Sequence, residues 1–595
     1  MSSPHLTSLE SFLELEEKGQ KRFQTLSLAQ SILRLSRLIL KHRWPFFGGA
    51  FLIVLGTLAA VLEPRIFGYA IDEAILPGRW DRLKGTGLVL FLAIGLRIFS
   101  AIQQTYLFEI LGQRVTQDLR LQLFSHLERL SLTTHSKHPP GRLLTRVTND
   151  IAALGEMFSS GFVSMFCNLF LVLGVLVGLL LLDFRLGLIS LSVFPVLVGL
   201  SIFFSKRLIR AYQDSRSKLS ALNAFLAENL SGMKIVNLFN RQTLHFERFD
   251  RLNHWYADAQ TASVKVYALF QPTITLSAGV SVALVMFFGG ERTLQGSLKL
   301  GVLVTFFSYL MALFQPVREI ADKWNLFLSG MTAAERVFSI LDWPTEMESH
   351  EVETCARPIP SLMGKIQFEN VWFAYQGENW ILRDFSIEIH PGERVGLVGY
   401  TGSGKSTLIH LLMRFYDPQK GRILLDGRDL RSYDLRSLRA SIGMVQQEVF
   451  LFSGTFEENM TFWKPSVDQR VHNILSQLQF EHHLGKTLLE KGVNFSMGER
   501  QMIAFARALA IDPKIWILDE ATAHLDSETE QTLQNAVNLA SHGKTSLLIA
   551  HRLATVRSAD RILVLHQGRL IESGSHVQLL ELDGLYSRLH RLQDL

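Results

Sequence analysis

Residues 394–416 read RVGLVGYTGSGKSTLIHLLMRFY, and this stretch decides the fold of the C-terminal half. It opens with a short apolar run, passes through a glycine-rich loop, Gly399 to Thr407, and closes in a helix-like run. Gly399, Gly404, Lys405 and Ser406 match the pattern G-x-x-x-x-G-K-[ST], in the strand, loop and helix context that the pattern requires. Tyr400, Thr401, Gly402 and Ser403 fill the loop. Glycines let backbone N–H groups curl round phosphate oxygens, and the helix N-terminus adds favourable potential. Lys405 is expected to reach the β- and γ-phosphates of ATP, and the Ser406 hydroxyl to bind Mg2+.

Two further strand ends belong with this loop. In KIWILDEATAHLD the apolar run 515–518 predicts a buried strand with Asp519 at its end, where ligand sites of open α/β sheets gather. Asp519 is expected to hold Mg2+, and Glu520 to polarise the attacking water. In SLLIAHRLATV a second buried strand leads to His551, a γ-phosphate contact at that place. Alternating short β-type runs and helices from Lys365 onward are α/β patterning.

Working outward, the N-terminal half differs in kind. Hydrophobic residues make up 48% of the 595 residues and charged ones 19%, more apolar than a soluble protein, with the excess in the first 320 residues. Six apolar stretches lie at roughly 44–69, 85–107, 157–182, 186–204, 266–290 and 300–320, most near the ~20 residues a bilayer helix needs. The segments 108–156 and 205–265 are long and rich in Lys and Arg, which places them and the N-terminus in the cytoplasm. Their helical periodicity predicts spans that continue as rods beyond the membrane, reversing at HPPGR and LSGMK. Before the first span, LSLAQSILRLSRLILKHRW predicts a basic amphipathic helix on the membrane surface. No cleavable signal precedes it.

The expected divisions are a polar tail at 1–25, a transmembrane domain at 26–330, a linker at 331–363 and a nucleotide-binding domain at 364–595. A net charge of +5 does not suggest a nucleic-acid binder, and Cys167 and Cys355 have neither disulfide nor metal-site spacing.

Together these motifs resemble the ABC exporters, and among them the half-transporters: an all-α, six-helix transmembrane domain fused to an α/β P-loop ATPase. The resemblance runs from about residue 26 to the C-terminal GRLIESGSHVQLL. It implies that Gln447, in MVQQEVFLFSGTFEEN, senses Mg2+ and the rods, and that Tyr375 stacks on adenine. It implies that Asp526 belongs to a loop crossing the dimer, and that PPGRLLTRVTND and LAENLSGMKIVNLFNRQ dock on the ATPase domains.

One motif departs from the family. Its signature, L-S-G-G-Q, here reads Phe495, Ser496, Met497, Gly498 and Glu499. In the family this segment closes over the ATP held by the partner subunit. Met497 brings a side chain where glycine permits close approach. Glu499 would place a carboxylate near the phosphates, a repulsion of at most about 4 kcal/mol at ~4 Å and an effective dielectric near 20, less where water or salt intervenes. The expectation is therefore a heterodimer with a second half-transporter, one ATP site active and one degenerate; a homodimeric exporter or lipid flippase is the alternative.

Cargo is expected to be small and hydrophobic or amphipathic: a drug-like molecule, lipid or peptide. Phenylalanines such as Phe99, Phe166 and Phe306 suit it, although lipid-facing helices are Phe-rich anyway. Arg97, inside the second apolar run, either attracts an anionic substrate group or makes a structural hydrogen bond. An ATP-gated channel or channel regulator shares the architecture, but Glu520 argues for turnover. Soluble ABC ATPases are excluded by the spans, and importers commonly carry the ATPase on a separate chain. A bacterial cytoplasmic membrane is the expected location.

Overall fold

A computed structural model describes residues 28–346, 362–462, 476, 480–519, 541–549 and 553–593. It divides into two compact units, residues 1–128 with 139–343, and residues 129–138 with 344–595.

The first unit is helical among its described residues. Helix α1 (Leu28–Lys41) buries Ser31 and Leu35 while Ile32, Leu33 and Leu40 stay exposed. Arg34 anchors it, donating to Asp342 at 2.8 Å and lying over the Phe338 ring. Helix α2 (Arg43–Ile75) and α3 (Trp80–Leu127) form a hairpin turned at Gly78, whose φ of 67° suits glycine. At 1.5 Å per residue the 48 residues of α3 reach about 72 Å, more than twice the ~30 Å apolar core of a bilayer. After α4 (Leu132–Lys137), which belongs to the second unit, α5 (Pro140–Leu182) starts with proline in its first turn, where no N–H is missed. Two π-helical turns, Arg146–Asp150 and Met157–Phe162, interrupt α5.

Asp183 caps α6 (Phe184–Leu191) by accepting from the Leu186 amide at 2.9 Å. Helix α7 (Phe194–Ser231) ends at Gly232, within LSGMK, and α8 (Met233–Leu238) leads into α9 (Gln242–Leu294). Helix α10 (Leu300–Leu341) closes the unit. The uninterrupted rods expected from periodicity are thus present in α3, α7 and α9, of 48, 38 and 53 residues. Among the described residues four helices, α2, α3, α5 and α9, are long and apolar enough to cross a membrane. The other two expected spans coincide with shorter apolar segments, Phe184–Val196 and Leu300–Pro316.

Two glycines set how closely α2 and α10 approach. A Cβ at Gly301 would stand 2.0 Å from the Gly68 carbonyl oxygen, and one at Gly68 would stand 2.4 Å from that of Gly301. Around this contact Asp72 accepts from the Gly301 amide at 2.7 Å, Thr305 donates to the Pro64 carbonyl at 3.1 Å, and Tyr309 to that of Val61 at 2.6 Å.

The second unit holds two main sheets. One is antiparallel, with strand order β2 (Leu382–Ile389), β1 (Ile366–Phe373), β4 (Lys420–Leu425), β5 (Arg428–Asp429). The other has the order β12 (Arg569–Gly574), β11 (Arg561–His566), β3 (Arg394–Val398), β10 (Thr545–Ile549), β9 (Ile515–Asp519), β6 (Ile442–Val445). Only β12 runs antiparallel there. The helix after the glycine loop, α11 (Lys405–Leu412), shares one apolar core with both sheets: Leu408, Ile409 and Leu412 lie in one cluster with Phe368, Phe385, Ile515 and Ile517. On the far face α12 (Met497–Ala510) joins a second core, where Phe505 lies against Trp516. Fully buried parallel strands need such cover on both faces.

Candidate nucleotide site

The parallel sheet brings the predicted motifs to one edge. Strand β3 delivers the glycine loop at its carboxyl end; β10 lies beside it and β9 beyond that, with Ile549 in register with Asp519. Asp519 is half-buried at that edge, and Gln447 is exposed two residues past the end of β6. This is the carboxyl rim where α/β sheets bind ligands. Glu520, His551 and Asp526 lie outside the described residues.

The loop has the shape a phosphate requires. Gly402 and Gly404 adopt φ of 81° and 105°, a region open to glycine at little cost. A Cβ at Gly404 would meet the Leu382 side chain at 2.9 Å. Lys405 is buried, and its ammonium donates to the carbonyls of Gly399 at 2.7 Å and Tyr400 at 3.1 Å, so the cation is held over the loop. The Ser403 hydroxyl is buried without a hydrogen-bond partner among the described residues. Thr401 and Ser406 are exposed and Thr407 is buried. A cation and the unsatisfied Ser403 hydroxyl beside a helix N-terminus fit the anionic phosphates of ATP. Ser406, Asp519 and Gln447 offer hard oxygen donors of the kind Mg2+ takes.

Tyr375 follows β1 and is tied to α11: its hydroxyl lies 3.0 Å from His410 Nδ1 and 3.3 Å from Thr407. The rings of Phe373 and Tyr416 meet it edge-on, 4.9 and 5.1 Å away, while part of the ring remains exposed. Burial raises the Tyr375 phenol pKa and lowers that of the His410 imidazole, so both are neutral at pH 7. Tyr400 is exposed and packs edge-on against His566.

Sequence matches extend this picture across the chain. The family described as "ABC transporter transmembrane region" matches residues 46–317, and that described as "ABC transporter" matches residues 382–523. The chain belongs to the ABC transporter family. It is 33% identical over 549 residues to an "ATP-dependent lipid A-core flippase" of Syntrophus aciditrophicus, covering 90% of this chain and 89% of the relative. It is 34% identical over 538 residues to a "Fatty acid ABC transporter ATP-binding/permease protein" of Mycobacterium bovis, covering 88% and 82%. A solved bacterial Atm1-family ABC exporter with ATP bound superposes with a TM-score of 0.76 at 28% identity, over 93% of this chain and 98% of that one. This ABC transporter is thus a membrane-embedded, multi-pass chain of the multidrug and lipid exporter type, whose ATPase domain binds ATP and hydrolyses it to drive transport.

In the transporter's signature the two polar side chains engage one another. Ser496 is the N-cap of α12 and Glu499 its third residue, and the two form a reciprocal capping box. The Glu499 amide donates to Ser496 Oγ at 3.2 Å, and the Ser496 amide donates to Glu499 Oε2 at 2.6 Å. The carboxylate is therefore engaged by its own helix, which serves equally with Glu or Gln at this position. Burial pushes its pKa up, but hydrogen bonding from Ser496 and the nearby Lys486 charge outweigh that and hold it below the ordinary carboxylate range. Gly498 is buried, whereas Met497 is 48% exposed at the head of the helix.

In the transmembrane unit Arg97 has a partner that the sequence reading did not name. Its Nε donates to Glu63 on α2 at 2.7 Å, with side chains 48% and 19% exposed. The signal was present, since Glu63 is an acid within the first apolar run. A cavity of about 560 Å3 in this unit is lined by Arg65, Tyr69, Asp72, Glu73 and Lys299 among others; Arg97 is not among its lining residues.

Proposed function

We propose that the chain is one half of a dimeric exporter that moves a hydrophobic or amphipathic molecule out of the cytoplasm by alternating access, in a bacterial cytoplasmic membrane. The observation that carries this reading is the buried Lys405 over a glycine loop, at the same sheet edge as Asp519, in a chain whose other unit has membrane-length helices. In this reading Lys405 and the loop amides bind the phosphates and Tyr375 takes the adenine. Ser406, Asp519 and Gln447 hold Mg2+, which supplies Lewis-acid stabilisation of the transferred phosphoryl group. Glu520 aligns water, His551 contacts the γ-phosphate, and Ser496, Met497, Gly498 and Asp526 face the partner's nucleotide. ATP favours the closed dimer only through contacts absent from the open one. The relatives' names, lipid A-core and fatty acid, support an amphipathic cargo.

The exposed Met497 supports a heterodimer in which the site closed by this signature hydrolyses slowly. The Glu499 capping box favours the second reading, a homodimer, because it engages the carboxylate on its own helix. Mg-ATPase of the full-length chain, purified alone in lipid nanodiscs, separates them. The heterodimer reading expects little turnover until a second half-transporter is added; vigorous turnover without one refutes it. Substrate-stimulated ATPase and vesicle uptake test export itself, and unitary ion currents in a bilayer would refute it in favour of a channel.

A further inference from the structure

Two of the three departures from the family signature touch one buried side chain. His483, 3% exposed, has its ring 5.3 Å from that of Phe495, and its Nε2 lies 3.2 Å from Glu499 Oε1. Phe456, Phe480 and His482 surround the same imidazole, with ring centroids at 6.1, 4.4 and 4.0 Å, and so fix its plane. On the other side Lys486 Nζ lies 3.2 Å from Nδ1. An ammonium can only donate, so Nδ1 is the acceptor and the proton of the neutral ring sits on Nε2, facing the carboxylate. Burial holds the imidazole pKa below its ordinary value, in keeping with a neutral ring. Nε2 makes no hydrogen bond among the described residues, so its approach to Glu499 Oε1 at 3.2 Å is a close polar contact between an N–H edge and a carboxylate, not an aligned hydrogen bond.

We propose that His483 is a positioning residue for the altered signature: held by Lys486 and the surrounding rings, it sets its Nε2 edge 3.2 Å from Glu499 and so keeps that carboxylate on the Ser496 amide. The chain of contacts runs from Lys486 through His483 and Glu499 to Ser496, and Phe495 walls the imidazole in. A carboxylate has more acceptor capacity than the single Ser496 amide uses, and a buried donor beside it stops the side chain from swinging outward. A neutral amide at the same position would cap the helix without that restraint. The inference rests on the reading that the Ser496 end of α12 meets the partner subunit's nucleotide.

The test is a double-mutant cycle in the assembled full-length transporter, purified from its own membrane and reconstituted in nanodiscs. His483→Leu is expected to raise the KM for ATP roughly five-fold, the scale of one lost polar contact to a charged group, with a smaller change in kcat. In the Glu499→Gln background the same substitution is expected to change KM by less than about two-fold, because no carboxylate is left to restrain. An equal effect in both backgrounds overturns the proposal and makes His483 a packing residue. Should His483→Leu fail to fold, the exposed Lys486→Met carries the cycle, with a roughly two-fold rise expected in the unaltered background only; equal effects again overturn it. Ser496→Ala separates this from the underlying reading. If it leaves KM and kcat alike untouched, the signature does not meet nucleotide, whatever His483 does.

Discussion

Replacing Glu499 by glutamine sets two physical accounts of the signature against each other. If the carboxylate faced a phosphate chain at ~4 Å, removing about 4 kcal/mol of repulsion would tighten ATP by about a thousand-fold. The structure points elsewhere: Glu499 Oε2 accepts from the Ser496 amide at 2.6 Å, and Oε1 lies 3.2 Å from His483. Glutamine keeps the capping bond and loses only its charge-assisted part and the interaction with the helix N-terminus, each about 0.3–1 kcal/mol. The expected change in the KM for ATP is therefore below about five-fold. The assay is steady-state Mg-ATPase against ATP concentration in nanodiscs, with nucleotide binding measured by fluorescence. A tightening of a hundred-fold or more would refute the capping argument and restore the electrostatic one. The pH dependence gives an independent check. The folded-state pKa of Glu499 is depressed, so its contribution to stability is present above its unfolded value, about 4.3, and is lost as pH falls through the folded value. Acid unfolding of the ATPase domain should thus begin at higher pH in the glutamine variant than in the parent.

Three further outcomes are expected. Arg97→Ala should lower the thermal unfolding midpoint more than Arg97→Ala combined with Glu63→Gln, because removing one partner strands a charge that removing both does not; equal losses in a thermal-shift assay would show that the pair is not coupled. Gly301→Ala should destabilise by about 1–3 kcal/mol, since its Cβ would stand 2.0 Å from the Gly68 carbonyl oxygen; an unchanged unfolding midpoint would show that α2 and α10 separate freely there. Lys405→Ala should abolish measurable ATPase, because it removes the ammonium held over the glycine loop; turnover within ten-fold of the parent would remove Lys405 from the proposed phosphate contacts.

Chemistry written in consecutive residues was legible before any fold was known. The glycine loop is readable because its donors are neighbouring backbone amides, and apolar runs announce bilayer helices because each satisfies its own hydrogen bonds. The rods α3, α7 and α9 were readable for the same reason, as unbroken periodicity. The capping box, too, is local: it is written as S-x-x-E at Ser496 and Glu499.

Tertiary structure alone decided what depends on residues far apart in sequence. It interposed β10 between the glycine-loop strand β3 and the Asp519 strand β9, paired Arg97 with Glu63, and brought Gly68 against Gly301. It also set His483 beside Glu499, from a segment whose composition marks it as nothing special. The physical reason is directional. A sequence states which donors, acceptors and charges exist, but the way each one points follows from backbone turns and packing that arise only when distant segments meet.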